Sequence, residues 1–86
     1  MTPEVVFGRI LRELRRRRGL SQERLGFEAG YHRVYISLLE RGQNSPSLSA
    51  LLRLAAPLGV TAAEIVRLVE AQMPDLPPRP PGTGES

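Results

Sequence analysis

The sequence predicts an all-α fold, with five short helices in one domain, residues 1–73, and a tail, residues 74–86. Three observations predict it. Apolar residues recur at spacings of three and four across the first 73 positions, the period of helices that each bury one stripe. Such stretches open on the capping residues Thr2, Ser21, Ser47 and Thr61, and close on Gly19, Gly30, Gly42 and Gly59, the usual start and stop signals. After residue 73 the composition changes: five prolines and two glycines fall in thirteen residues, which cannot form a packed helix.

The elements follow in order. Thr2-Pro3-Glu4 combines a capping hydroxyl, a proline at the first helical position and an acid in the first turn. Phe7, Leu11 and Leu14 then bury one stripe, and six arginines crowd residues 9–18. Ser21 caps a second helix, in which Leu25 and Ala29 face inward. Gly26 weakens that helix by up to ~1 kcal/mol, and its missing side chain allows the following helix to approach. Gly30 makes the turn, Tyr31 packs across it, and His32 occupies the next cap position. A third helix runs over residues 33–41, with Ile36 and Leu39 inward. After Gly42 and the polar loop Gln43-Asn44-Ser45, Pro46 and Ser47 start a fourth helix with an apolar face of Leu48, Leu51, Leu54, Ala55 and Leu58. Pro57 predicts a distorted or early-ending last turn. Thr61-Ala62-Ala63-Glu64 has the pattern of a capping box, and the fifth helix extends to residue 72 or 73. Its apolar arc of Ile65, Val66, Leu68, Val69 and Met73 is wider than one contact with a small core needs. Part of it, Val66, Leu68, Val69 and Met73, is therefore expected at a dimer interface. Dimerisation would also help a chain this short, whose core is limited.

Composition excludes several classes of function. There is no cysteine, so no disulfide, thiolate metal site or cysteine nucleophile. The single histidine, His32, argues against a histidine-rich metal site or a histidine-dependent triad. No apolar run approaches the ~20 residues that span a bilayer, and the N-terminus lacks a signal-peptide pattern, so a soluble, cytoplasmic protein is expected. The twelve basic residues are all arginine against nine acids, and ten of the twelve precede residue 54. That balance suits nucleic acid, although a net charge of +3 is also compatible with an ordinary solvated surface. No cofactor, metal, membrane or small-molecule substrate is expected, and no nucleophile, base and orienting group recur at a spacing that suggests an enzyme. The PxxP spacings in the tail suit either a peptide ligand or a plain flexible tail.

Residues 21–42 carry the functional signal. Two short helices joined by a turn containing glycine form a helix-turn-helix arrangement, which commonly places its second helix in the DNA major groove. At 100° per residue, Arg33, Val34, Ser37, Leu38 and Arg41 share one arc, roughly opposite Ile36 and Leu39.

The segments LRELRRRRGLSQERL and ISLLERGQNSPSLSALLRLAAPLGV resemble the Cro/CI-repressor type of helix-turn-helix, the XRE family, over residues 7–68. The resemblance implies a compact five-helix lambda-repressor-like domain that binds double-stranded DNA, often as a homodimer on two-fold operators, and acts as a transcriptional regulator, chiefly a repressor. By position, Gln22 corresponds to a phosphate-binding glutamine. Arg33, Val34, Ser37 and Leu38 correspond to base-edge readers. Tyr35, Gln43 and Asn44 fall near the sugar-phosphate backbone, and Arg15 and Glu40 correspond to an internal salt bridge. Each role has a rival. Arg15 also suits a phosphate contact, Gln22 a plain helix start, and Arg33 a surface ion pair. His32 suits either the turn or a contact to phosphate or base. Val34 and Leu38 depart from the family's polar readers. Both suit a thymine methyl, but an apolar face also suits a protein-interaction module, antitoxin-like or scaffolding, which is the alternative function. A restriction-modification controller is a variant within the DNA-binding class.

Overall fold

The computed structural model describes residues 1–74. The expected tail lies outside the described residues from position 75 onward. Five helices are present: α1 (Pro3–Arg17), α2 (Gln22–Ala29), α3 (Arg33–Glu40), α4 (Leu48–Leu58) and α5 (Ala62–Ala71). No strand occurs among the described residues.

Each helix begins where a side chain takes up an otherwise orphaned backbone N–H. Thr2 accepts from Val5, Ser21 from Arg24, Ser47 from Ala50 and Thr61 from Glu64. His32 acts as a cap as well: its Nδ1 accepts from the Val34 N–H at 3.1 Å. Each of the four hydroxyl caps is worth ~1 kcal/mol. The capping box at α5 is only half formed, because the Glu64 carboxylate accepts from Arg67 instead of reaching back.

The principal helix contacts close into a ring: α3 packs on α1, α1 on α5, α5 on α4, α4 on α2, and α2 on α3. Inside it lie Val6, Phe7, Ile10, Leu11, Leu14, Leu25, Ile36, Leu39, Leu54, Leu58 and Ile65. Burying a side chain of this size contributes roughly 1.5–3 kcal/mol. In this ring α3 has two principal neighbours, α1 and α2, so its far side is free.

Two expectations are corrected. Leu48 is 73% exposed and is not part of the core. Ala50 takes the first-turn core position of α4, and a residue two places away lies ~200° round the helix. Pro57 does not end α4 early: the helix runs through to Leu58. The proline sits one residue from the end, so a single backbone hydrogen bond is lost, and the Gly59 N–H still reaches the Ala55 and Ala56 carbonyls. The wide apolar arc of α5 is used in part inside the fold. This helix packs against both α1 and α4, so Leu68, Val69 and Met73 are half-buried against the core, while Val66 remains exposed.

Candidate nucleic-acid interface

The position of α3 is fixed from three sides. Ile36 and Leu39 are fully buried. At the α2–α3 turn, Gly30 adopts φ +84°, a left-handed conformation in which side chains are strained. The Tyr31 N–H donates to the Gly26 carbonyl at 2.7 Å. A Cβ on Gly26 would lie 2.5 Å from the Tyr31 carbonyl oxygen. The missing side chain therefore accommodates the turn more than the body of the next helix. On the other side, a Cβ on Gly8 would meet the carbonyl oxygens of Leu39 and Glu40 at 2.5 and 2.6 Å. The last turn of α3 thus rests directly on the backbone of α1. Sequence reasoning missed Gly8, although a glycine inside a helix is itself a signal of close approach.

The polar centre of this arrangement is Glu40. Its side chain is fully buried. Arg15 donates to it through Nε at 2.5 Å and through Nη2 at 3.0 Å, and donates Nη1 to the Leu20 carbonyl at 2.8 Å. Gln22 Nε2 donates to Glu40 Oε1 at 3.1 Å, and Arg12 Nε lies 3.5 Å from the same oxygen. Burial pushes the Glu40 carboxyl up. The Arg15 and Gln22 hydrogen bonds and the Arg15 charge, with Arg12 adding to them, outweigh burial and hold it below the usual carboxylate range. Arg15 is therefore an internal brace, and Gln22 is tied to the same carboxylate at the start of α2. Arg12 was legible in the sequence only as one of the six arginines of residues 9–18, and its place at Glu40 was missed, though its position three residues before Arg15 puts both on adjoining parts of α1.

The outward side of α3 is open. Arg33, Val34 and Arg41 are exposed, and Ser37 and Leu38 are half-buried. Val34 is 50% exposed, a large value for an apolar side chain. Among the described residues no carboxylate pairs with Arg33. Arg41, which caps the C-terminus of α3, donates through Nε to the Ser37 carbonyl at 3.4 Å. Gln43 and Asn44 are exposed in the following loop. Tyr35 is half-buried and sits 4.8 Å, ring to ring, from Tyr31 at the edge of the core. Burial, with Tyr31 beside it, raises its phenol above the ordinary value. Among the described residues, no group of three metal-ligating side chains converges. No single described helix is long and apolar enough to cross a membrane.

This geometry has counterparts. A family model described as a helix-turn-helix domain matches residues 6–68. The crystal structure of the restriction-modification controller protein C.AhdI from Aeromonas hydrophila superposes with a TM-score of 0.69 at 48% sequence identity, covering 71% of this chain and 92% of that one. The control protein C.BamHI of Bacillus amyloliquefaciens is 36% identical over 63 residues, 72% of this chain and 78% of that protein. The uncharacterized HTH-type transcriptional regulator y4dJ of Sinorhizobium fredii is 43% identical over 53 residues, 62% of this chain and 69% of its own. A match over this span, on a chain with this turn, shows that the protein belongs to the XRE-type helix-turn-helix family of transcriptional regulators.

Proposed function

We propose that the protein is a sequence-specific DNA-binding regulator that lays α3 in the major groove and acts as a dimer, in the role of a repressor. The observation that carries this reading is the uncovered side of α3, with Arg33 exposed and not paired to a carboxylate among the described residues. The Arg33 fork suits guanine O6 and N7, while Val34 and Leu38 suit thymine methyl groups. Ser37 is small enough to let the backbone approach. Gln22, His32, Tyr35, Arg41, Gln43 and Asn44 are assigned to the rim, where polar groups meet sugar and phosphate.

A second copy is assigned to α4 and α5. Leu48 and Leu52, one helical turn apart on α4, are exposed, as is Val66 on α5. Pro46, Leu51, Val66 and Val69 line an apolar groove. Apolar side chains exposed side by side mark an interaction surface, and here α4 joins the α5 residues expected from sequence.

Selection of bound duplexes from a random library tests the proposal. A two-fold symmetric consensus is expected, and a reporter promoter carrying that consensus is expected to fall when the protein is expressed. Arg33→Ala should cost ~1–3 kcal/mol and relax preference at one base pair. A loss of equal size on every sequence would reduce Arg33 to a backbone contact. No duplex bound at low salt, with a protein captured on the α3 face, would favour the protein-interaction module.

A further inference from the structure

Glu40 is a single carboxylate facing two guanidinium groups. Arg15 is buried and holds both carboxylate oxygens, at 2.5 and 3.0 Å. Arg12 approaches only one of them, at 3.5 Å, and its side chain is 50% exposed. The pair Arg15–Glu40 is therefore already neutral, and Arg12 is the surplus charge. Its longer contact is the weakest of the four donors around this carboxylate, since charge-assisted bonds of good geometry run at about 2.7–2.9 Å. Arg12 shares Glu40 Oε1 with Gln22 Nε2, which sits 3.1 Å from it. The exposed guanidinium thus lies beside the first residue of α2, on the same rim where Gln22 is assigned to phosphate.

We propose that Arg12 is a phosphate-binding residue of this protein, parked against Glu40 in the free state and transferred to the DNA backbone on binding. This rests on the DNA-binding reading above. Glu40 loses nothing essential in the exchange, because Arg15 alone continues to hold both of its oxygens. Arg15 cannot make the same move. It is buried, and withdrawing it would leave the carboxylate without its neutralising charge, a far larger penalty than releasing a half-exposed partner. Division of labour follows: Arg15 holds α3 on α1, and Arg12 supplies a mobile charge to the duplex.

The test is the salt dependence of binding by the full chain to a selected duplex and to a duplex of unrelated sequence. Each phosphate neutralised contributes about 0.9 to the slope of log affinity against log salt. Arg12→Ala is expected to lower that slope by about one such unit and to weaken both duplexes by the same factor, with the thermal midpoint of the free protein unchanged. Arg12→Lys should restore the slope. Arg17→Ala removes one arginine from the same helix, where Arg17 pairs with Glu13 in the open, and should leave the slope near that of the wild type. An Arg12→Ala slope equal to that of the wild type, while the wild type binds normally, overturns this assignment and leaves the DNA-binding reading intact. A slope lowered equally by Arg17→Ala also overturns it, because general charge would then be the cause. A wild-type chain that binds neither duplex overturns both.

Discussion

Glu40 ties three helices through one carboxylate: it stands at the end of α3, and its donors come from α1 and from the start of α2. Its protonation should therefore register in the stability of the whole fold. The folded carboxyl titrates lower than an ordinary glutamate because its hydrogen bonds and the Arg15 charge outweigh burial. A group whose folded value is depressed stabilises fully above its unfolded value, ~4.3. That contribution disappears as pH falls through the folded value. Urea midpoints should thus be level from neutrality down to about pH 5 and drop below about pH 4. Glu40→Gln removes one partner of a buried pair and should cost roughly 3–5 kcal/mol at pH 7. The gap between variant and wild type should narrow in acid, where the wild-type carboxyl is itself protonated. Parallel profiles for the two proteins across pH 3–7 would mean that this carboxylate does not set the acid limit.

At the scale of the elements, the contact that matters most for the site is α1 on α3, because it fixes how far α3 stands out. Gly8 makes that contact possible. A methyl group there would sit 2.5 Å from one backbone carbonyl oxygen and 2.6 Å from the next, and neither is a flexible side-chain end that can swing away. Gly8→Ala should therefore destabilise the fold by ~1–3 kcal/mol through overpacking, against the gain of up to ~1 kcal/mol that alanine normally brings inside a helix. An increase in denaturation midpoint would show that α3 moves off α1 without penalty. The same contact explains what the sequence disclosed. Helix starts were legible because Thr2, Ser21, Ser47 and Thr61 act locally, each on an N–H three residues away. The outward arc of α3 was legible because Ile36 and Leu39 fix its phase. The exposure of Leu48, the neighbours of Gly8 and the parking of Arg12 depend on residues distant in sequence, and no local period encodes them. Leu48 shows this directly: its spacing to Leu51 suited a core stripe, but the stripe that α2 and α5 need runs through Ala50 and Leu54.

At the scale of the whole molecule, the same exposed leucines bear on how many copies meet the DNA. The ring of helix contacts leaves Leu48 at 73% and Leu52 at 59% exposure, so neither side chain contributes much to the folded monomer. Exchanging them for glutamate should change monomer stability by no more than ~0.5 kcal/mol each, as surface substitutions generally do. If a second copy covers them, two buried charges would instead face its apolar surface, and the dimer should be lost. The combination Leu48→Glu and Leu52→Glu is therefore expected to sediment as a monomer at micromolar concentration, while the wild type sediments as a dimer and the thermal midpoint of dilute protein stays nearly the same. Ile65→Ala is the opposite control. Ile65 is 1% exposed inside the ring, so its truncation should cost ~2–5 kcal/mol and lower the midpoint at every concentration. On DNA the loss of pairing has a specific signature. Two recognition helices held ~34 Å apart read two half-sites one turn apart, so the double variant should bind a single half-site about as well as the wild type does and lose its advantage on the paired site. A wild-type monomer both free and on the paired site, or a double variant that retains that advantage, would place the second copy elsewhere.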